Sequence, residues 1–207
     1  MGADNQEPTV RPADPPGNPS ALAREPRETV PEYEALASDL REAVSGGVRF
    51  DEYAQVLYAT DGSIYQARPA GVVYPEDVAD VRAAVRTAVE HGTPILPRGA
   101  GSSLAGQTVG PSCVVLDMSR HMDGLLAVDP AGQTATIQPG IVQDDLDDYL
   151  AEYGLKFAPD PASSNRSTVG GGIGNNSTGA HSVRYGITDA YTEEIKAVPS
   201  DGSVLHA

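Results

Sequence analysis

Residues 97–107 read Pro97-Arg98-Gly99-Ala100-Gly101-Ser102-Ser103-Leu104-Ala105-Gly106-Gln107 and directly follow the apolar pair Ile95-Leu96. A backbone with so few side chains can turn its N–H groups inward and approach a phosphate group closely. The stretch therefore predicts a loop that binds a nucleotide pyrophosphate, in which a side chain at position 101 would fill the phosphate space. It is not the loop of nucleoside triphosphatases, because no Lys follows the last glycine. It also departs from the dinucleotide fingerprint, because the third glycine stands at 106 and not at 104.

A second glycine-rich segment occupies residues 159–179 and is followed by Tyr185-Gly186. Its central part reads Thr168-Val169-Gly170-Gly171-Gly172-Ile173-Gly174-Asn175-Asn176-Ser177-Thr178-Gly179. Taken alone, such a segment also fits a flexible surface linker. Because it follows the first loop after a predicted strand, hairpin and helix, we interpret the two segments as parts of one binding site.

Together the two segments resemble the FAD-binding domain of the vanillyl-alcohol oxidase and p-cresol methylhydroxylase (PCMH) superfamily, and most of all its FAD-linked 2-hydroxyacid dehydrogenases of the D-lactate, glycolate and D-2-hydroxyglutarate type. Residues 97–107 match P-R-G-x-G-[TS]-S-L-x-G-Q, and residues 168–179 match T-[IV]-G-G-x-x-x-x-N-[AS]-x-G. The resemblance covers roughly residue 58 to the C-terminus. It implies an α+β chain with the PCMH-type FAD-binding fold of two α+β subdomains, here incomplete at its C-terminal end.

In this family FAD lies extended between the subdomains, with its pyrophosphate on the first loop and its ribityl and flavin portions along the second. The resemblance implies cofactor contacts from both segments: Pro97, Arg98, Gly99, Ala100, Gly101, Ser102, Ser103, Gly106, Gln107, Thr168, Gly170, Gly171, Asn176, Ser177, Gly179, Tyr185 and Gly186. Covalent members carry a histidine immediately after the second glycine of the first loop. Because Ser102 stands there, we expect FAD to be held non-covalently. An iron–sulfur cluster is expected only in a region beyond residue 207.

The activity implied by the resemblance is oxidation of a small 2-hydroxyacid by hydride transfer to flavin N5. It does not identify the electron acceptor. In the family, the base for the hydroxyl proton and the cations for the substrate carboxylate come from regions beyond this C-terminus. We therefore assign no catalytic residue, and we expect the chain to be an N-terminal fragment that is inactive alone.

Two other interpretations stay open. The chain could be a non-catalytic product of a truncated or split gene that supplies only the FAD-binding half. It could also be an enzyme similar to UDP-N-acetylenolpyruvylglucosamine reductase, which shares the fold, although that family does not account for the tail Ser103-Leu104-Ala105-Gly106-Gln107.

The composition is strongly acidic, with 29 Asp and Glu against 14 Lys and Arg and a net charge of −15. This charge argues against nucleic-acid binding, which needs cations against phosphates. Lys156 and Lys196 are the only lysines, a pattern that favours a halophilic origin over an ordinary acidic cytosolic protein. No apolar run long enough for a membrane helix and no signal peptide is present, so we expect a cytoplasmic protein whose full-length form could still associate peripherally with a membrane.

The Pro-rich and charged composition of residues 1–29 predicts a disordered tail. Apolar residues at helical spacing predict a helical lead-in over 30–65, and the resemblance implies the FAD-binding domain over 66–207. We predict helices over 31–45, 76–91 and 142–153, the middle one joining strands 72–75 and 95–96 in a β-α-β unit. Further strands are predicted at 114–117, 125–128, 135–138, 193–199 and 204–206. The carboxylates of the third helix fit a solvated face, and no metal site is predicted. The single cysteine, Cys113, fits a buried strand.

Overall fold

A four-stranded sheet forms the first half of the molecule in the computed structural model, which describes residues 29–207. Its strands are β1 (Gly47–Arg49), β2 (Gly71–Tyr74), β3 (Ile95–Arg98) and β4 (Val114–Asp117). They lie in the order β1-β2-β4-β3, with β1 antiparallel and the other three mutually parallel. Residues 1–28 of the predicted disordered tail lie outside the described residues.

Helices cover both faces of this sheet. Because successive strand side chains point to opposite faces, Val73 and Leu116 pack in one cluster with α1 (Glu34–Ala43) and α3 (Val78–Glu90). Val72 and Val115 pack on the other face in a cluster that includes Ala54 of α2 (Glu52–Leu57). Cys113 belongs to that second cluster, as its apolar neighbours predicted.

The predicted β-α-β unit is present as β2-α3-β3, but β4 lies between its two strands. Helix α3 begins two residues later than predicted, because the Asp77 carboxylate caps it by accepting the N–H of Asp80 at 2.9 Å. Asp80 is itself buried, and it accepts the N–H groups of Ser45 and Gly46 at 2.8 and 3.0 Å. The start of α3 therefore fixes the turn that leads into β1, a strand that the sequence analysis did not predict.

The second half of the molecule has its own apolar cluster. The hairpin of β5 (Leu125–Asp129) and β6 (Thr134–Ile137) packs with α4 (Gln143–Ala151) through Leu146, Leu150 and Ile141. Two short helices follow, α5 (Val169–Asn175) and α6 (Ser182–Tyr185), where a glycine-rich loop was expected. The chain closes with β7 (Lys196–Ala197) and β8 (Leu205–His206), both shorter than predicted.

The closing hairpin contacts the first half of the molecule. Arg82 and Arg86 of α3 donate to the carbonyl of Gly202 at 2.9 and 3.1 Å. The two halves of the molecule, each built from strands and helices, form the two α+β units of the predicted PCMH-type architecture. The glycine loop that follows β3 and the segment that contains α5 meet between them.

Candidate functional site

The first glycine loop begins where β3 ends, at the carboxyl edge of the parallel strands. Ligands of open α/β sheets commonly bind outside this edge. Gly101 has a φ of +68°, which directs the chain back on itself. Among residues 29–207, no protein acceptor receives the backbone N–H groups of residues 100–104. The loop thus presents a row of unpaired amides, the kind of backbone concavity that binds anions.

Residues 58–66 pack against the back of this loop. Gly62 donates its N–H to the carbonyl of Gly101 at 2.9 Å. Asp61 accepts the hydroxyl of Thr108 at 3.0 Å, and a Cβ on Gly106 would lie 2.7 Å from the ring of Tyr65. These contacts fix both the middle and the end of the loop from one side.

The Asp61 carboxylate is stabilised in its charged form. Burial alone would raise its pKa, but hydrogen bonds from Ser63 and Thr108 outweigh that effect and hold the pKa of Asp61 below its ordinary value. Asp61 is therefore charged at neutral pH and accepts the hydroxyl and the N–H of Thr108 at the end of the loop.

Arg98 lies beneath the loop. Its guanidinium donates to the carbonyls of Thr108 at 3.0 Å and Thr60 at 2.9 Å, and it stacks on the ring of Tyr58 with 5.2 Å between Cζ and the ring centroid. A Cβ on Gly101 would lie 2.7 Å from that Cζ. The expectation that a side chain at 101 fills the phosphate space is therefore wrong, because this position faces the guanidinium.

Tyr58 links Arg98 to the central strand. Its hydroxyl donates to Asp117 Oδ2 at 2.5 Å, and Ser119 donates its N–H and hydroxyl to Oδ1 at 2.9 and 2.6 Å. Burial and the bond to Asp117 raise the pKa of Tyr58 far above its ordinary value. Tyr58 is therefore a neutral donor throughout the ordinary pH range, and both oxygens of the buried Asp117 carboxylate are satisfied.

The second segment meets the loop at Gly99. Thr168 caps α5 by accepting the N–H of Gly171 at 3.3 Å, and a Cβ on Gly99 would overlap its Oγ1. The N–H groups of Val169 and Gly170 donate to the carbonyls of Ile141 and Pro139, between β6 and α4, at 2.9 Å each. The first-turn amides of α5 therefore have protein partners, whereas those of the glycine loop do not.

Beyond α5, the predicted residues hold the segment together. Asn176 ends the helix with a φ of 45° and accepts the N–H of Asp189 at 3.0 Å. The carbonyl of Ser177 accepts the hydroxyl of Thr188 at 2.8 Å. The N–H and ring of His181 bond to Asp160 and lower the pKa of that carboxyl.

A cleft of about 220 Å³ separates the glycine loop from the second segment. Nine of the predicted cofactor residues line it: Gly99, Ala100, Gly101, Ser102, Ser103, Gln107, Thr168, Gly171 and Ser177. Eight others lie outside the lining: Pro97, Arg98, Gly106, Gly170, Asn176, Gly179, Tyr185 and Gly186. The volume is below the ~300–1,000 Å³ of enclosed small-molecule sites, so the cleft accommodates part of an extended ligand.

Further residues of the lining were not predicted individually. They are Leu104, Thr108, Gln143, Phe157, Pro161, Ser163, Ser167, Val169, Gly172, Asn175 and Thr188. Several of them could have been predicted from the many hydroxyl side chains between residues 163 and 188. Gln143 had none, because only the fold brings the start of α4 against the carbonyl of Pro159.

No charged side chain of the described chain lines this cleft. An anion there would be held by backbone amides and hydroxyls and not by Lys or Arg. Two unpaired amides and two hydroxyls lie on adjacent residues at Ser102 and Ser103, and such donors suit a pyrophosphate, whose oxygens accept several short hydrogen bonds. The residues present therefore fit the phosphate portion of FAD.

Residues 29–207 contain neither a cluster of metal ligands nor a helix able to span a membrane. No three His, Cys, Asp or Glu side chains come close enough together to hold a metal ion. None of the helices in this part of the chain has the length and apolar character needed to cross a bilayer.

Comparison with known proteins relates this chain to FAD binding domains. The family described as FAD binding domain matches residues 69–207. Glycolate oxidase subunit GlcD of Bacillus subtilis is 32% identical over 176 residues, which are 82% of this chain and 37% of that protein. D-2-hydroxyglutarate dehydrogenase of Escherichia coli is 36% identical over 154 residues, 73% of this chain and 15% of that protein.

A solved structure of alkyldihydroxyacetonephosphate synthase has the same fold, with a TM-score of 0.75 and 26% identity over 88% of this chain and 35% of that one. The chain thus spans little more than a third of these proteins at most, and 15% in the D-2-hydroxyglutarate dehydrogenase.

Proposed function

This chain belongs to the family of FAD binding domains found in FAD-linked oxidoreductases, and on that premise we propose that it is the cofactor-binding part of an enzyme that oxidises a 2-hydroxyacid. Bound FAD supplies the electron-accepting chemistry. The chain's own residues bind and orient it. The observation that carries the proposal is the row of unpaired amides over residues 100–104, which belong to residues that line the cleft beside α5.

The glycine loop is proposed to hold the pyrophosphate. The amides of Ala100, Gly101 and Ser102 require an acceptor, and two phosphates provide several. The hydroxyls of Ser102 and Ser103 lie on the same lining. Since a water-filled cleft would satisfy the same amides less strongly than an anion, the loop gains most from a charged ligand.

The second segment is proposed to border the ribityl and flavin portions of FAD. Thr168, Gly171 and Ser177 line the cleft opposite the loop, and Thr168 is fixed by its capping bond. Ser102 offers no nucleophile comparable to an imidazole, so the proposed attachment is non-covalent.

The substrate class rests on the relatives, whose names specify glycolate and D-2-hydroxyglutarate. A second candidate function is the FAD-binding half without catalysis. Among the described residues that line the cleft, none has a cationic side chain that could bind a substrate carboxylate. None has a carboxylate or imidazole that could accept the hydroxyl proton either, and this favours the second candidate.

Titration of FAD into the purified chain tests the proposal. The key variant is Gly101→Val, whose Cβ would displace the guanidinium of Arg98 from beneath the loop. Gly154→Val is the matched control, because Gly154 has the same φ of +68° but no heavy atom within 4 Å of its Cβ position. We expect the first variant to lose FAD binding and the second to retain it, with the circular dichroism of the helices preserved in both.

If Gly101→Val binds FAD with the affinity of the parent chain, the glycine loop is not part of the FAD site. Turnover of glycolate or D-2-hydroxyglutarate with a dye acceptor by the parent chain would favour the enzyme over the non-catalytic half.

A further inference from the structure

Both terminal nitrogens of the Arg98 guanidinium donate a hydrogen bond to a backbone carbonyl. One terminal nitrogen binds the carbonyl at the end of the glycine loop, Thr108, and the other binds the carbonyl of Thr60 in the segment behind it. Arg98 does not line the cleft, although Gly101 above it does. Of its two partners, Thr108 lines the cleft and Thr60 does not, so the guanidinium joins the end of the loop to the segment behind it.

The position of the guanidinium is fixed from two further directions. Its flat face stacks on Tyr58, whose hydroxyl is held by the buried Asp117. The guanidinium also lies close to Gly101, where a Cβ would be 2.7 Å from Cζ and 2.8 Å from Nε. A planar, forked donor is needed for this arrangement, and Lys offers a single point charge with no flat face.

We infer that Arg98 is a positioning residue of the FAD site: by binding the carbonyls of Thr60 and Thr108 while stacked on Tyr58, it holds the glycine loop in the shape that leaves its amides free for the cofactor, and it does not contact FAD. Tyr58 acts with it by supporting the face of the guanidinium. The inference rests on the proposed pyrophosphate site for its effect on FAD, but its structural part concerns the cofactor-free chain.

Two readouts separate positioning from phosphate binding. The first is hydrogen exchange in the cofactor-free chain at the amides of Gly62 and Thr108, which donate across the loop to Gly101 and Asp61. The second is the dissociation constant of FAD, measured over a series of salt concentrations. A phosphate ligand would affect only the second, and its removal would weaken the salt dependence, since exposed charge interactions are screened.

Arg98→Lys and Arg98→Met are the test variants. We expect both to lose about tenfold in protection of the two amides and about tenfold in FAD affinity, because each loses bonds from a charged fork. We also expect both to keep the salt dependence of the parent. The control is Arg120→Lys: Arg120 also stacks on a tyrosine, Tyr74, with 4.7 Å between Cζ and the ring centroid, but it lies outside the loop. It should change neither readout.

Two outcomes would overturn the inference. One is unchanged amide protection in both Arg98 variants. The other is an FAD affinity that Arg98→Lys keeps and Arg98→Met loses, with a weaker salt dependence in Arg98→Met. If both variants fail to fold, Tyr58→Phe replaces them. It keeps the ring and removes the bond to Asp117, and protection equal to that of the parent would overturn the inference as well. A parent chain that binds no FAD would instead refute the proposed function and leave the exchange result valid.

Discussion

The contact between Gly99 and Thr168 is where the two halves of the proposed site meet, and a single methyl group tests it. A Cβ on Gly99 would overlap Thr168 Oγ1 and lie 3.1 and 3.2 Å from Thr168 Cβ and Cγ2. Optimal contacts between non-bonded carbons are about 3.5–4.0 Å. Gly99 is not in the left-handed region, so Gly99→Ala adds a steric wedge without backbone strain.

The expected cost follows from this overlap. Overpacking by one methyl group costs about 1–3 kcal/mol, and the contact can be relieved only by moving the loop away from α5. If about 2 kcal/mol of this cost appears in binding, the dissociation constant of FAD rises about 30-fold. Flavin fluorescence during titration gives the constant, and thermal unfolding gives the effect on the fold.

Three further variants make the result specific. Thr168→Ala removes the overlapping oxygen, so Gly99→Ala/Thr168→Ala should bind FAD more tightly than Gly99→Ala alone, a coupling that a double-mutant cycle measures. Gly174→Ala is the control in α5, because no heavy atom lies within 4 Å of its Cβ position, and it should stabilise the helix by up to about 1 kcal/mol. Unchanged FAD affinity in Gly99→Ala, or no coupling in the cycle, would refute a site formed jointly by the loop and α5.

Four other outcomes are expected. Acid precipitation should release all flavin into the supernatant, because Ser102 stands where a covalent member has histidine; flavin retained in the pellet would contradict this. The pKa of Asp61 is lowered in the folded chain, so its stabilising contribution is complete above its unfolded pKa of 3.8 and is lost as pH falls through the lower folded value. FAD titrations below pH 4 should show affinity falling more steeply in the parent than in Asp61→Asn. Burial raises the pKa of the Cys113 thiol, so a thiol reagent at pH 8 should label it only after unfolding. With 29 acidic residues against 14 basic ones, the chain should be more compact in molar salt than in dilute buffer; cooperative unfolding in dilute buffer, followed by circular dichroism, would argue against a halophilic origin.

The sequence predicted the parts of the fold in which local pattern and tertiary packing agree. Helix α3 and strand β4 carry clear apolar periodicity, and both were found close to their true bounds. Strand β1 was missed because its three residues have no apolar run; it exists because Val48 pairs with Val73 of β2. Pairing across the chain is invisible to local periodicity.

Helix α5 was missed because its local composition disfavours a helix. Four of its seven residues are glycine, and each disfavours a helix by about 1 kcal/mol relative to Ala. The helix forms because Thr168 caps it and because the carbonyls of Ile141 and Pro139, between β6 and α4, accept the amides of Val169 and Gly170. Glycine is required there by close approach, since a Cβ on Gly170 would lie 2.7 Å from the carbonyl oxygen of Pro139.

The two glycine segments that contribute to the cleft were recognised from sequence because their motifs are continuous, whereas the position of Arg98 was not. Its partners Tyr58, Thr60 and Thr108 stand 40, 38 and 10 residues away along the chain, so no spacing rule connects them. An arginine beside a predicted phosphate loop suggests a phosphate ligand. The geometry favours a different division of labour, in which the cation binds backbone carbonyls and the backbone amides face the anion.

That division suits the charge of the chain. With a net charge of −15, the long-range field repels an anionic cofactor, so attraction has to come from groups in direct contact with it. Backbone amides attract an anion that is in direct contact with them, but they have little effect on charges at a distance, and they do not titrate. A lysine or arginine placed at the cleft would instead be drawn to the many surface carboxylates. Keeping Arg98 beneath the loop, with both terminal nitrogens bonded to carbonyls, removes that competition and leaves recognition to the amides of residues 100–104.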